Sequence, residues 1–171
     1  VAGTPTPADT AFGRSGRMHR PELRTTHSHV VVHNSGAFSS AIVVHQRHAP
    51  LIRWQSTCSC ATGVVVHATL IVSLYIPQNG RGNEVYLSAL ESVSILIRSV
   101  PRRFRPFHLF VGCDANTSLA RHEDILVVGP QCGGVLNNER SQALLEFALE
   151  HELYAVNTYG SSTDFWTHEF Y

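Results

Sequence analysis

The segment HLFVGCDANTSLA, residues 108–120, ends an apolar run on Asp114 and Asn116. In an extended chain alternate side chains share a face, so a carboxylate and an amide two positions apart project together where a strand leaves its sheet. A carboxylate so placed takes a proton from water or holds a cation, and an amide donates to charge developing on a phosphoryl oxygen. Gly112, two positions earlier, lets the backbone come close to a neighbour or ligand. Asp and Asn also end strands simply as turn formers. The spacing alone leaves both readings open.

Three other groupings carry chemical potential. RSVPRRFRPFH gathers Arg98, Arg102, Arg103 and Arg105 around Phe104 and Phe107. That is the composition of a phosphate-contacting patch with interleaved aromatics, or of cations complementing a helix C-terminus. Eleven histidines include HSHVVVH (His27, His29, His33) and VVHQRH (His45, His48). His27 and His29 share a strand face and so suggest a metal site, but no fixed Cys/His partner spacing accompanies them, and the favoured reading is scattered structural or surface histidines. The four cysteines, Cys58, Cys60, Cys113 and Cys132, form no CxxC pair. Cys58 and Cys60 are too close for an easy bridge, so the expected setting is reduced and intracellular, nuclear or cytoplasmic. The NTS at 116–118 matches a glycosylation sequon, which is incidental in such a setting.

Strands and helices in alternation must position these groups. Residues 1–28 mix Pro, Gly, Thr and Arg without a sustained period and read as an irregular N-terminal segment. HVVVH and AFSSAIVVHQ read as two strands about an NSG turn. Residues 64–76, apolar on both faces, read as buried strands with a turn near His67 and Ala68, ended by Pro77. In NEVYLSALESVSILIRS, Tyr86, Leu90, Val93 and Ile97 recur at helical spacing, with Asn83 as N-cap. PFHLFVG is the next strand. NERSQALLEFALEHEL is a second helix that starts at Asn137 or Asn138 and buries Leu145, Ala148, Leu149 and Leu153. YAVNT is a last short strand. The order predicts an α/β or layered α+β class, with helices covering a sheet.

Composition sets the outer bounds. A chain of 171 residues, 43% hydrophobic and 15% charged, suits one domain with a real core. With zero formal net charge and a pI near 7.3, no global basic field marks a nucleic-acid partner. The longest apolar stretch, GVVVHATLIVSLYIP, is too short and too interrupted by His67 and Thr69 to span a bilayer. No apolar signal core opens the chain, so the expectation is a soluble protein with no membrane partner.

LYIP with Tyr75, a helix, VGCDANT, and NERSQALLEFALEHELYAVNT follow one another in an order that resembles the endonuclease/exonuclease/phosphatase (DNase I-like) superfamily. The likeness is greatest to the apurinic-type endonuclease domains of non-LTR, LINE-like retrotransposons. It runs from about Gly36 to Trp166. It implies a four-layer sandwich of two central mixed sheets flanked by helices, with Mg2+ (or Mn2+) at the strand ends. It implies that Asp114 positions or deprotonates the attacking water, that Asn116 holds the scissile phosphate and that Tyr75 contacts or orients it. The activity implied is metal-dependent phosphodiester hydrolysis, a DNA-nicking endonuclease. DNA is the implied partner, together with a reverse transcriptase domain of a longer polyprotein.

Departures from the family pattern qualify this. Cys113 stands between Gly112 and Asp114, and Ala115 replaces an aromatic. The family's early Gln-Glu pair has no counterpart before Gly36, where Glu22 is the only glutamate, and its late Asp and Ser-Asp-His elements would lie beyond Tyr171. His168, after Trp166 and Thr167, reads as ordinary sequence rather than the catalytic histidine. The expectation is therefore a partial domain over 29–171, truncated at both ends, with metal ligands unknown, unpaired sheet edges and weak or no activity. A phosphatase of the same superfamily and a non-catalytic relic or binding module with the same fold stay open beside it.

Overall fold

The computed structural model describes residues 18–35, 38–76, 82–105, 107–119, 127–130, 132 and 138–159. The chain divides into two compact units, 1–116 and 117–171.

In the first unit, β1 (Glu22–Thr25), β2 (His29–His33) and β3 (Ala41–His45) form an antiparallel sheet in that order. A second sheet follows, of β4 (Ile52–Thr57), β5 (Ala61–Val66), β6 (Thr69–Tyr75) and β7 (His108–Asp114), also in chain order. The first two pairings in it are antiparallel and β6 pairs with β7 in parallel. A parallel pair needs a crossover. Helix α1 (Asn83–Arg98) lies within that connection.

The burial patterns follow from what covers each face. β5 is buried along nearly its whole length and β6 alternates, burying Leu70, Val72 and Leu74. Val64 of β5 packs with Val32, Ile42 and Val44 of the three-stranded sheet, joined by Val30, Ile52, Val66 and Ile71. Side chains alternate along β5, so Gly63 points to the other face, where a Cβ would meet Leu96 of α1 at 2.7 Å. The larger sheet therefore lies between the smaller sheet and α1. The mixed α/β class expected from the sequence holds.

Helix α1 buries Tyr86, Leu90, Val93 and Ile97, the stripe read from their spacing. Asn83 is not its cap: the cap position is Gly82 and Asn83 is the first helical residue. Arg105 closes the other end, donating to the carbonyls of Ile97 (3.2 Å), Arg98 (2.6 Å) and Val100 (3.1 Å). Two strands are absent from the sequence reading. β1 lies inside the segment read as irregular, and its ELRT is exposed throughout, held by pairing with β2 rather than by an apolar face. β4, IRWQST, carries a register shift between Ile52 and Trp54 that breaks simple alternation. The β5–β6 turn falls at His67 and Ala68 as expected, with His67 at φ 56°.

In the second unit, α2 (Glu139–Glu150) begins at Asn138, whose side chain accepts from the Ser141 N–H at 2.8 Å. Val127, Val128, Leu145 and Ala148 form its core, with Leu119, Cys132 and Leu153 against them. Leu149, expected on the buried face, is 47% exposed, and Leu144 and Phe147 are buried instead. YAVNT is not a strand. Only Ala155 makes a bridge, to Val128, and Val156–Thr158 coil into a 3-10 turn. Pro77, Asn137, Trp166 and His168 lie outside the described residues.

Candidate functional site

Parallel pairing brings the carboxyl ends of β6 and β7 out together. Tyr75 and Asp114 are register partners at those ends, so their side chains stand on one face of the sheet. The junction is tied by the Ile76 N–H, which donates to the Asp114 carbonyl at 3.0 Å. Behind Tyr75, its own N–H donates to the Cys60 carbonyl at 3.0 Å. The Tyr75 ring is half-buried and stacks on Phe38, with centroids 6.1 Å apart and planes 18° from parallel.

Asp114 is exposed and closes β7. Asn116 does not continue the strand face as alternation would have it. The strand has ended, and Asn116 sits at φ 45°, in the left-handed region that Asn tolerates better than most residues. Its N–H donates to Asp114 Oδ1 at 3.3 Å, and its side-chain amide donates to the Ile76 carbonyl at 2.7 Å. The three expected site residues thus meet at one sheet end, through a turn that draws on the polar groups of two of them. Gly112 is not forced by crowding: a Cβ there would meet only the Val72 carbonyl, at 4.0 Å. Cys113 points to the opposite face of β7 and is exposed. Its thiol is nevertheless pushed up to about 12 by desolvation and then by the Asp114 carboxylate.

The supporting shell was not legible from the sequence. Asn34, buried, donates through Nδ2 to the carbonyls of Cys58 (3.0 Å) and Phe38 (3.3 Å) and accepts from the Ser40 N–H at 2.9 Å. Ser40 Oγ and Thr62 Oγ1, both buried, lie 3.0 Å apart. These bonds join the two sheets beside Phe38 and hence beside Tyr75. Next to them the buried thiols of Cys58 and Cys60 stand 3.9 Å apart. The Cys60 side-chain hydrogen bond draws the Cys58 thiol down from its ordinary value. The same bond and burial push Cys60 up.

The other sequence candidates resolve differently. Arg105 is committed to the end of α1, the helix-terminus role, and it also lies 5.8 Å from the Phe107 ring. Arg103 lies over Phe104 at 4.8 Å, and Arg102 and Arg103 are exposed. Glu22 pairs with His33, whose Nε2 is 3.5 Å from its carboxylate. Among the described residues no group of three or more His, Cys, Asp or Glu could hold a metal ion. Mg2+ is commonly held by one or two carboxylates together with water and substrate phosphates. Asp114 fits that pattern as a single ligand, and only with a phosphate to complete the shell. No helix among the described residues is long and apolar enough to cross a membrane.

The chain matches no family model, no curated protein and no solved structure.

Proposed function

We propose that the chain carries part of a metal-dependent phosphodiester hydrolase site of the DNA-nicking endonuclease type, within a DNase I-like four-layer sandwich. The observation that supports this reading is the register pairing of Tyr75 with Asp114 at the carboxyl ends of parallel strands. Ligand sites in layered α/β proteins favour that edge. Asp114, exposed, would take the proton of the attacking water. The amide of Asn116 has two donor hydrogens, so one remains for a phosphate oxygen beside the bond to Ile76. The Tyr75 hydroxyl would orient the same phosphate. A divalent cation, when bound, would neutralise phosphate charge as the leaving oxygen departs. The substrate proposed is DNA, in a longer protein of retrotransposon type that carries a reverse transcriptase.

A second reading has an observation of its own. Asp114 Oδ1 accepts from the Asn116 N–H and the Asn116 side-chain amide donates to the Ile76 carbonyl, so both groups hold the sheet end together, which suits a non-catalytic module that keeps the fold. A phosphatase would use the same groups on a smaller phosphoester. The deciding experiment incubates supercoiled plasmid with Mg2+ and the protein, beside Asp114→Ala. Nicking by the parent and its loss in the variant supports the hydrolase. Equal nicking by both removes Asp114 from the chemistry, and nicking by neither favours the non-catalytic module.

A further inference from the structure

HSHVVVH and VVHQRH, separate in the sequence, meet in the three-stranded sheet. His29 of β2 and His45 of β3 are register partners. The Gln46 N–H donates to the Ser28 carbonyl at 2.7 Å, which makes Ser28 and Gln46 a hydrogen-bonded pair. Hydrogen-bonded and open pairs alternate along an antiparallel ladder, so His29 and His45 form an open pair, the kind whose side chains stand closer. Their ring centroids are 5.3 Å apart and their planes 80° from parallel. Both rings reach solvent.

We propose that His29 and His45 form a two-histidine chelate for a borderline divalent transition metal ion, with Cu2+ the tightest. Imidazole suits such ions, and the first-row order of affinity peaks at copper. A metal about 2.1 Å from each ring nitrogen, bound at a cis angle, places the two ring centres about 5 Å apart. The pair already has that spacing.

The other ring nitrogens are engaged. His29 Nδ1 lies 2.7 Å from Ser28 Oγ, and His45 Nδ1 accepts from the Arg47 N–H at 3.2 Å. A hydrogen bond on the far nitrogen orients a histidine ligand and sets its tautomer. The Ser28 hydroxyl can accept as well as donate, so it suits the His29 tautomer that a metal at Nε2 requires, with the proton on Nδ1 and the lone pair on Nε2. For His45 the bond favours the opposite tautomer, with the proton on Nε2, so metal binding there moves that proton to Nδ1, breaks the bond from the Arg47 N–H and requires the ring to turn away from that donor. His48 is not part of the pair: its Nε2 accepts from Arg47 Nε at 2.9 Å. With two protein ligands, water completes the shell. The chelate joins strands whose pairing builds the smaller sheet, so metal binding should raise the melting temperature.

The test titrates Cu2+ into the full chain. It reads nitrogen hyperfine structure by electron paramagnetic resonance, and the melting temperature with Cu2+ and with Zn2+. His29→Gln and His45→Asn are the variants, the second chosen because Asn can still accept from the Arg47 N–H. Circular dichroism confirms that each is folded, and His27→Gln is the control. The expected result is a two-nitrogen signal and a metal-dependent rise in melting temperature in the parent and the control. Each single variant should lose affinity by about a hundredfold, the usual gain of a second linked ligand. A two-nitrogen site that survives both changes, or a parent that takes up no Cu2+, overturns the proposal.

Discussion

The side-chain amide of Asn116 donates to the carbonyl of Ile76, forty positions earlier in the chain, at 2.7 Å. This bond fastens the exit of β7 to the exit of β6, and Ile76 is fully buried. Asn116 also occupies φ 45°, where most side chains are strained. Its two contributions separate by substitution. Asn116→Gly keeps the backbone at ease and loses the bond, at about 1–2 kcal/mol for a buried carbonyl left unpaired. Asn116→Ala adds the left-handed strain and should cost about 2–4 kcal/mol in all. Urea unfolding of the two variants measures the difference. If Ala proves no worse than Gly, the positive φ carries no cost.

Gly63 faces Leu96 at close range where the larger sheet meets α1. A Cβ on Gly63 would stand 2.7 Å from Leu96 Cδ2 and 3.5 Å from Trp54. Leu96 is fully buried and has little room to retreat. Gly63→Ala should therefore destabilise by about 1–3 kcal/mol through overpacking. Combining it with Leu96→Ala relieves the clash, so the double variant should be more stable than the sum of the single effects predicts. Chemical denaturation of the four-member cycle tests this, and strict additivity would mean the two positions do not touch.

What the sequence disclosed depends on periodicity. The α1 stripe of Tyr86, Leu90, Val93 and Ile97 was readable because burial on one helical face imposes a spacing. β1 was not, since ELRT is exposed at every position and owes its form to pairing with β2. The same limit applies at the site. Alternation placed Asp114 and Asn116 on a common face, but alternation ends with the strand, and the turn after Asp114 redirects Asn116. That Tyr75 lies beside Asp114 is a matter of parallel register, which no local pattern encodes. The His29–His45 pair was hidden for the same reason: each motif is ordinary until register joins them.

Cys113 is exposed as a residue, yet desolvation of its sulfur, and after that the Asp114 carboxylate, push the thiol up to about 12. The thiolate is the nucleophile. Alkylation of Cys113 by iodoacetamide, followed by peptide mass spectrometry, should therefore stay slow at pH 8 and rise well above the ordinary thiol range of about 8.5. Asp114→Asn removes the charge and should shift the profile to lower pH. The folded state holds this proton more tightly than the unfolded chain. The contribution to stability is present below about pH 9 and is lost as pH climbs toward 12. An alkylation profile centred on the ordinary value would show that solvent reaches the sulfur freely.

Asn34 joins three backbone groups from a buried position. It is 4% exposed, and its side chain serves the carbonyls of Phe38 and Cys58 and the N–H of Ser40. Asn34→Ala removes three hydrogen bonds made by a buried side chain, and should cost about 2–4 kcal/mol. Asn34→Asp keeps the shape and the acceptor for Ser40 but loses both donors, so it should be destabilised as well. Because Phe38 stacks on Tyr75, the loss should also reach the candidate site. The measurable sign is faster amide hydrogen exchange at Tyr75, whose N–H is bonded to Cys60, and at Ile76, whose N–H is bonded to Asp114. Faster exchange confined to residues 34–40 would show that the bonds between the sheets stabilise the smaller sheet without bracing the ends of β6 and β7.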